Sequence, residues 1–233
     1  MLTNLLVAVL IALLPAFILF LFLFFSSWEN LLWVVFGLGA LGWFLAFLLR
    51  ILPLQAPVKI YGPMFTLTLW NLAYASILAG LFEESIRYIL MRKIWFIRQS
   101  FRHVTSFGLG WGFGEAAIIY VGTLISLWII GKHFTFLDML PGAIERNLAI
   151  VIHVALTFIL IKAIVSLRFL WFAMGIHAGV DFLVTTVYRI YRLPIWEVET
   201  IIALIAIILF TYAYLSTRGL TSIKYVDLSG LGS

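Results

Sequence analysis

Seven stretches of this chain are so long and so apolar that they leave few ways to fold it. A helix needs about 20 apolar residues to cross the hydrocarbon of a bilayer. Residues 5–25, 31–52, 65–91, 108–130, 142–165, 169–188 and 196–215 reach or approach that length. Inside a bilayer every backbone N–H and C=O must be paired within the protein, and a helix pairs its own. The expected fold class is therefore all-α: a polytopic transmembrane helical bundle of about seven spans. Composition agrees, because only 11% of the 233 residues are charged, against about a quarter in soluble domains. The chain reads as one integral membrane domain over 1–233, with a catalytic core at about 66–188 and a flexible tail at 218–233. Residues 1–25 lack a basic start and run too long for a cleaved leader, so they read as the first membrane anchor.

The cations are unevenly placed. Arg92, Lys93, Arg98, Arg102 and His103 alternate with aromatic residues at helical spacing after the third span. That pattern predicts either a basic interfacial helix lying on the membrane surface or a solvated basic loop. With Lys162, Arg168, Arg218 and Lys224 it makes the more basic side of the bundle. Positive residues favour the cytoplasm, which gives a prokaryotic cell-membrane protein with its N-terminus outside and its C-terminus cytoplasmic. The net charge of +5 reads as topology and contact with anionic lipid, with no nucleic acid as partner. The sequence holds no cysteine, which excludes disulfides, thiolate metal sites and cysteine nucleophiles.

Against this apolar background the third span carries Glu83, Glu84 and Arg87. Ionisable groups at membrane depth are costly and mark sites with a function. The spacings of four and three place both carboxylates within reach of the guanidinium on a helix. Glu115 lies in the fourth span and His153 in the fifth, and His177 and Asp181 share a face of the sixth. At about 1.5 Å of rise per residue these groups fall in one band about two turns thick. Glycines alternate from Gly108 to Gly114 and let a neighbouring helix approach closely. Glu145 and Arg146 read as a pair near the far interface, and the first, second and seventh spans as packing helices.

Such a cluster suits hydrolysis. A carboxylate in a dry site serves as a base near neutral pH, and a histidine positions water or donates to a developing oxyanion. The sequence has no His-Glu-x-x-His and no Gly-x-Ser-x-Gly, so the zincin and serine-elbow patterns are absent.

Glu83-Glu84-x-x-Arg87, a later histidine and His177-x-x-x-Asp181 resemble the CAAX-protease and bacteriocin-processing superfamily of glutamate-dependent intramembrane proteases. That pattern is Glu-Glu-x-x-x-Arg, Phe-x-x-x-His, then His-x-x-x-Asn/Asp. Here the arginine comes one residue early and Ala149 stands in the phenylalanine's place, which looks closer to the YhfC family of membrane peptidases, related to the PrsW-type proteases. The resemblance covers about 81–183. It implies a multi-pass protease acting on a membrane-embedded or membrane-tethered peptide or protein substrate within the lipid bilayer. Glu83 would be the general base and His153 would share its water. His177 and Asp181 would stabilise the oxyanion, and Glu84 and Arg87 would shape the site, with Glu115 and Glu145 in support. No cofactor is expected on this resemblance, and zinc held by Glu83, His153 and His177 is the alternative. The rival readings are a proton- or ion-coupled transporter, which predicts an internal repeat that the sequence lacks, and a non-catalytic membrane scaffold.

Overall fold

The computed structural model describes residues 2–218. Over them the chain forms seven long helices: α1 (Leu2–Phe25), α2 (Leu31–Tyr61), α3 (Leu69–Lys93), α4 (Phe101–Ile129), α5 (Phe136–Ala163), α6 (Arg168–Arg189) and α7 (Ile195–Thr217). Six are long and apolar enough to cross a membrane. The other is α3, whose 25 residues suffice in length but include the Glu83, Glu84 and Arg87 charges and a basic last turn. The expected tail lies outside the described residues from 219 onward.

Three boundaries correct the sequence reading. Helix α2 does not stop near residue 52 but continues through Pro53 and Pro57 to Tyr61. Pro57 has no N–H to offer the carbonyl four residues back, and the Tyr74 hydroxyl donates to that Pro53 oxygen at 2.8 Å. Pro15 in α1 orphans the Ile11 carbonyl in the same way, and Asn147 Nδ2 of α5 donates to it at 2.8 Å. Neighbouring helices thus repair both breaks, as membrane bundles allow.

The basic stretch forms no surface helix of its own. Helix α3 runs to Lys93, a tight turn occupies Trp95–Arg98, and Ser100 caps α4 by accepting from the His103 N–H. The turn is pinned because Ile97 is fully buried and Arg98 Nε donates back to the Met91 carbonyl at 2.9 Å. Starting α4 at Phe101 rather than near 108 sets Glu115 about 21 Å along its helix, two turns deeper than the sequence suggested. Helix α5 likewise begins early, at a reciprocal Thr135/Asp138 cap.

Helix α5 is the central post, packed against α1, α4, α6 and α7, while α2 lies along α4 and α3 along α6. Glycines set how close these pairs come. A Cβ at Gly110 would sit 2.0 Å from the Phe36 carbonyl oxygen of α2, and one at Gly80 would sit 2.5 Å from the Met174 oxygen of α6. The obstacle in each case is backbone and cannot rotate away. Gly110→Ala is expected to cost about 3 kcal/mol, the upper end of ordinary overpacking. That lowers the melting temperature by about 6–12 °C. Gly37→Ala meets nothing within 4 Å, and its melting temperature, read in the same thermal scan, stays level or rises.

Candidate active site

The polar residues of four helices converge on the blind end of one cavity. Helix α3 supplies Glu83, Glu84 and Arg87, all buried. Its close approach to α6 at Gly80 brings His177 and Asp181 alongside. Helix α4 supplies Glu115 at the start of a π turn over Ala116–Val121, a local widening of the helix common near functional residues. Helix α5 supplies His153. All the residues singled out from sequence therefore meet, with Glu145 at the margin.

Glu84 and Arg87 form the hub. The Arg87 Nη1 donates to both Glu84 oxygens at 3.0 and 2.9 Å, and neither residue has any exposure. The guanidinium also lies 4.3 Å over the Trp111 ring. From this hub the two histidines are set in opposite tautomers. Arginine only donates, so the Arg87 Nη2 contact at 2.8 Å makes His153 Nδ1 an acceptor. The His153 proton is therefore on Nε2, which donates to Glu115 Oε2 at 2.5 Å. On the other side, His177 Nδ1–H donates to Glu84 Oε1 at 2.7 Å. In the neutral ring its Nε2 carries the free lone pair, 4.0 Å from Glu83 Oε2 and 3.7 Å from Asp181 Oδ2.

Three contributors were missed in the sequence. Arg50 Nη1 donates to Glu83 Oε1 at 2.7 Å, and Trp111 Nε1 donates to Glu83 Oε2 at 3.2 Å. Arg146 donates to Glu115 Oε1 at 2.7 Å and also pairs with Glu145, so this pair is tied to the site and does not stand apart at an interface. Arg50 carried a usable signal, the one cation inside the apolar run 31–52, but a span ending at 52 sets it at the rim and not at the depth of the site. Trp111 carried none. Helix α7 is not purely a packing helix, since its Glu199 is buried with one carboxylate oxygen lacking a hydrogen-bond partner among the described residues.

Electrostatically the cluster sets five carboxylates, Glu83, Glu84, Glu115, Glu145 and Asp181, against three guanidiniums, Arg50, Arg87 and Arg146. Two formal negative charges are left over when the histidines are neutral. Glu83, His153 and His177 each offer one ligand atom, and these atoms lie within 4.8 Å of one another. Glu83, the open His177 nitrogen and the surplus charge fit a divalent cation, and His153 completes the set only when a ring nitrogen is released from Arg87 or Glu115. The cavity measures about 470 Å³ and is lined by Glu83, Glu115, His153, His177 and Asp181 at its floor.

A family model described as YhfC intramembrane metalloprotease matches residues 10–132, more than half of the chain. The match takes in Arg50, Glu83, Glu84, Arg87, Trp111 and Glu115, and ends before His153, His177 and Asp181. No curated protein and no solved structure matches the chain.

Proposed function

The chain belongs to the YhfC intramembrane metalloprotease family, and on that premise we propose that the cavity floor hydrolyses a peptide bond of a membrane-embedded or membrane-tethered protein with a bound divalent metal. The observation that carries this reading is the Glu83, His153 and His177 donor set, drawn together within 4.8 Å. Two histidines and a glutamate are a set that catalytic zinc takes. Bound there, zinc would lower the pKa of a water to about 7 and polarise the scissile carbonyl.

The chain's own groups have separable tasks. Glu84 holds the proton of His177 on Nδ1 and so keeps Nε2 turned toward the cavity, an orienting role that ligating histidines commonly require. Arg87 neutralises Glu84 where neither side chain is exposed to solvent. Asp181, the most accessible carboxylate of the group with its side chain 42% exposed, takes a proton from the attacking water and returns it to the leaving amine. Arg50, paired with Glu83, adds positive charge where the carbonyl oxygen becomes anionic.

A second reading keeps the residues and dispenses with the metal. Glu83 is then the general base, His153 donates from Nε2, and His177 with Asp181 faces the oxyanion. One observation favours it: both His153 nitrogens are already engaged, by Arg87 and by Glu115. A cleavage assay in liposomes on a membrane-peptide library, with and without a strong chelator, separates the two. Loss of cleavage with chelator and its return with zinc is the expected result. Cleavage indifferent to chelator favours the metal-free reading, and no cleavage by well-folded protein overturns both.

A further inference from the structure

The cavity has a direction. Its α3 wall runs from Glu83 back through Ala79, Ala75 and Asn71, and its α6 wall runs from His177 forward through Val184 to Arg189. Both walls lead to the face where α3 begins and α6 ends. On the other side of the site the lining reaches only about one turn further, to Leu156 and Phe47, and beyond them Tyr88, Met91, Phe107, Trp111 and Ala173 are buried. The site is thus a floor, shut on the side of the basic turn and open on the opposite side.

Its depth and its size together restrict what fits. Twelve residues separate His177 from Arg189, which is about 18 Å of helix rise. A substrate reaching the floor as a helix needs about twelve residues to cover that distance, whereas an extended chain needs about five or six. A volume of about 470 Å³ is that of a cavity enclosing one drug-sized ligand, which matches a short extended segment and not three turns of helix with side chains. The walls are mostly small or apolar, with Ala75, Ala79, Val180 and Val184 among them.

We propose that the site takes an apolar, extended segment of about five residues, threaded only from the face opposite the basic Trp95–Arg98 turn, and does not take a helix running through the bundle. This rests on the protease reading for its purpose, but the access route is tested without catalysis. The sequence has no cysteine, so single-cysteine variants report cleanly. Ala75→Cys and Thr185→Cys place a thiol on the cavity wall. Tyr191→Cys, in the exposed α6–α7 connection, marks the proposed open face, and Val165→Cys, between α5 and α6, marks the basic one. Each variant in oriented proteoliposomes is treated from one side with a membrane-impermeant maleimide.

The expected result is that both cavity thiols label with Tyr191→Cys and not with Val165→Cys. An unstructured apolar pentapeptide should slow that labelling, and a helix-stapled peptide of the same residues should leave it unchanged. Labelling from the Val165 side, from both sides or from neither overturns the proposal, as does protection by the helical peptide alone. If labelling behaves as expected while no preparation cleaves, the protease reading falls and the access route stands. If cleavage and its metal dependence hold while the labelling side is wrong, only the access route falls.

Discussion

Arg87→Ala lowers stability by about 3–5 kcal/mol, the range for breaking a fully buried ion pair by removing one partner. In a thermal scan of the purified protein this appears as a drop of about 6–20 °C in melting temperature. The reason is the company Arg87 keeps. It satisfies both Glu84 oxygens, the His153 ring and the Trp111 face, and it has no exposure through which water could replace it. Alanine leaves Glu84 charged, buried and held only by His177. Arg87→Lys recovers part of the loss, since an ammonium can reach Glu84 but lacks the planar fork needed to reach His153 as well. The double variant Glu84→Gln/Arg87→Met is expected to be more stable than Arg87→Ala, because the uncompensated charge goes with its partner. A melting temperature for Arg87→Ala within 2 °C of wild type, about 1 kcal/mol or less at this chain length, would show that the hub does not hold the helices.

Glu83→Gln has the opposite profile, with the fold intact and the activity gone. The replacement is isosteric, and the glutamine can still accept from Trp111 Nε1. Arg50 loses its partner but lines the cavity, so its charge keeps a polar surrounding. The melting temperature should stay near that of wild type. Cleavage of a membrane peptide should fall by at least about 10²–10⁴-fold: that is the contribution of a positioned base in the metal-free reading, and loss of a metal-ligating carboxylate takes the metal-dependent reaction at least as far. Full activity in the variant would return the cluster to a packing role.

How much of this was readable from the chain follows from which properties are periodic. The helices were, because apolar runs of span length have one outcome in a bilayer. The band of depth was in part, because rise per residue is fixed: it brought Glu83, Glu84, His153, His177 and Asp181 to one level, while the depth of Glu115 was underestimated by two turns because α4 starts at Phe101. Rotation about each helix axis was not. Whether Arg50, Trp111 and Arg146 turn toward the site depends on how helices pack, and the glycines at 80, 108 and 110 give closeness without giving partners. Helix ends were obscured where repair comes from elsewhere in the chain. Helix α2 passes the residue-52 limit of its apolar run and continues through Pro53 and Pro57, where Tyr74 of another helix serves one of the freed carbonyls. The opposite tautomers of His153 and His177 are set by Arg87 and Glu84 in three dimensions, and no spacing in the sequence encodes them.

A metal-dependent hydrolytic site at the cavity floor must hold its ion. The test is the metal content of the purified protein after equilibration with zinc and dialysis, with wild type and His177→Ala side by side. About one zinc per wild-type chain is expected, and none in the variant, which should stay folded but melt several degrees lower because Glu84 loses its buried His177 hydrogen bond. Wild-type protein that cleaves peptide while holding no metal would contradict a metal-dependent site.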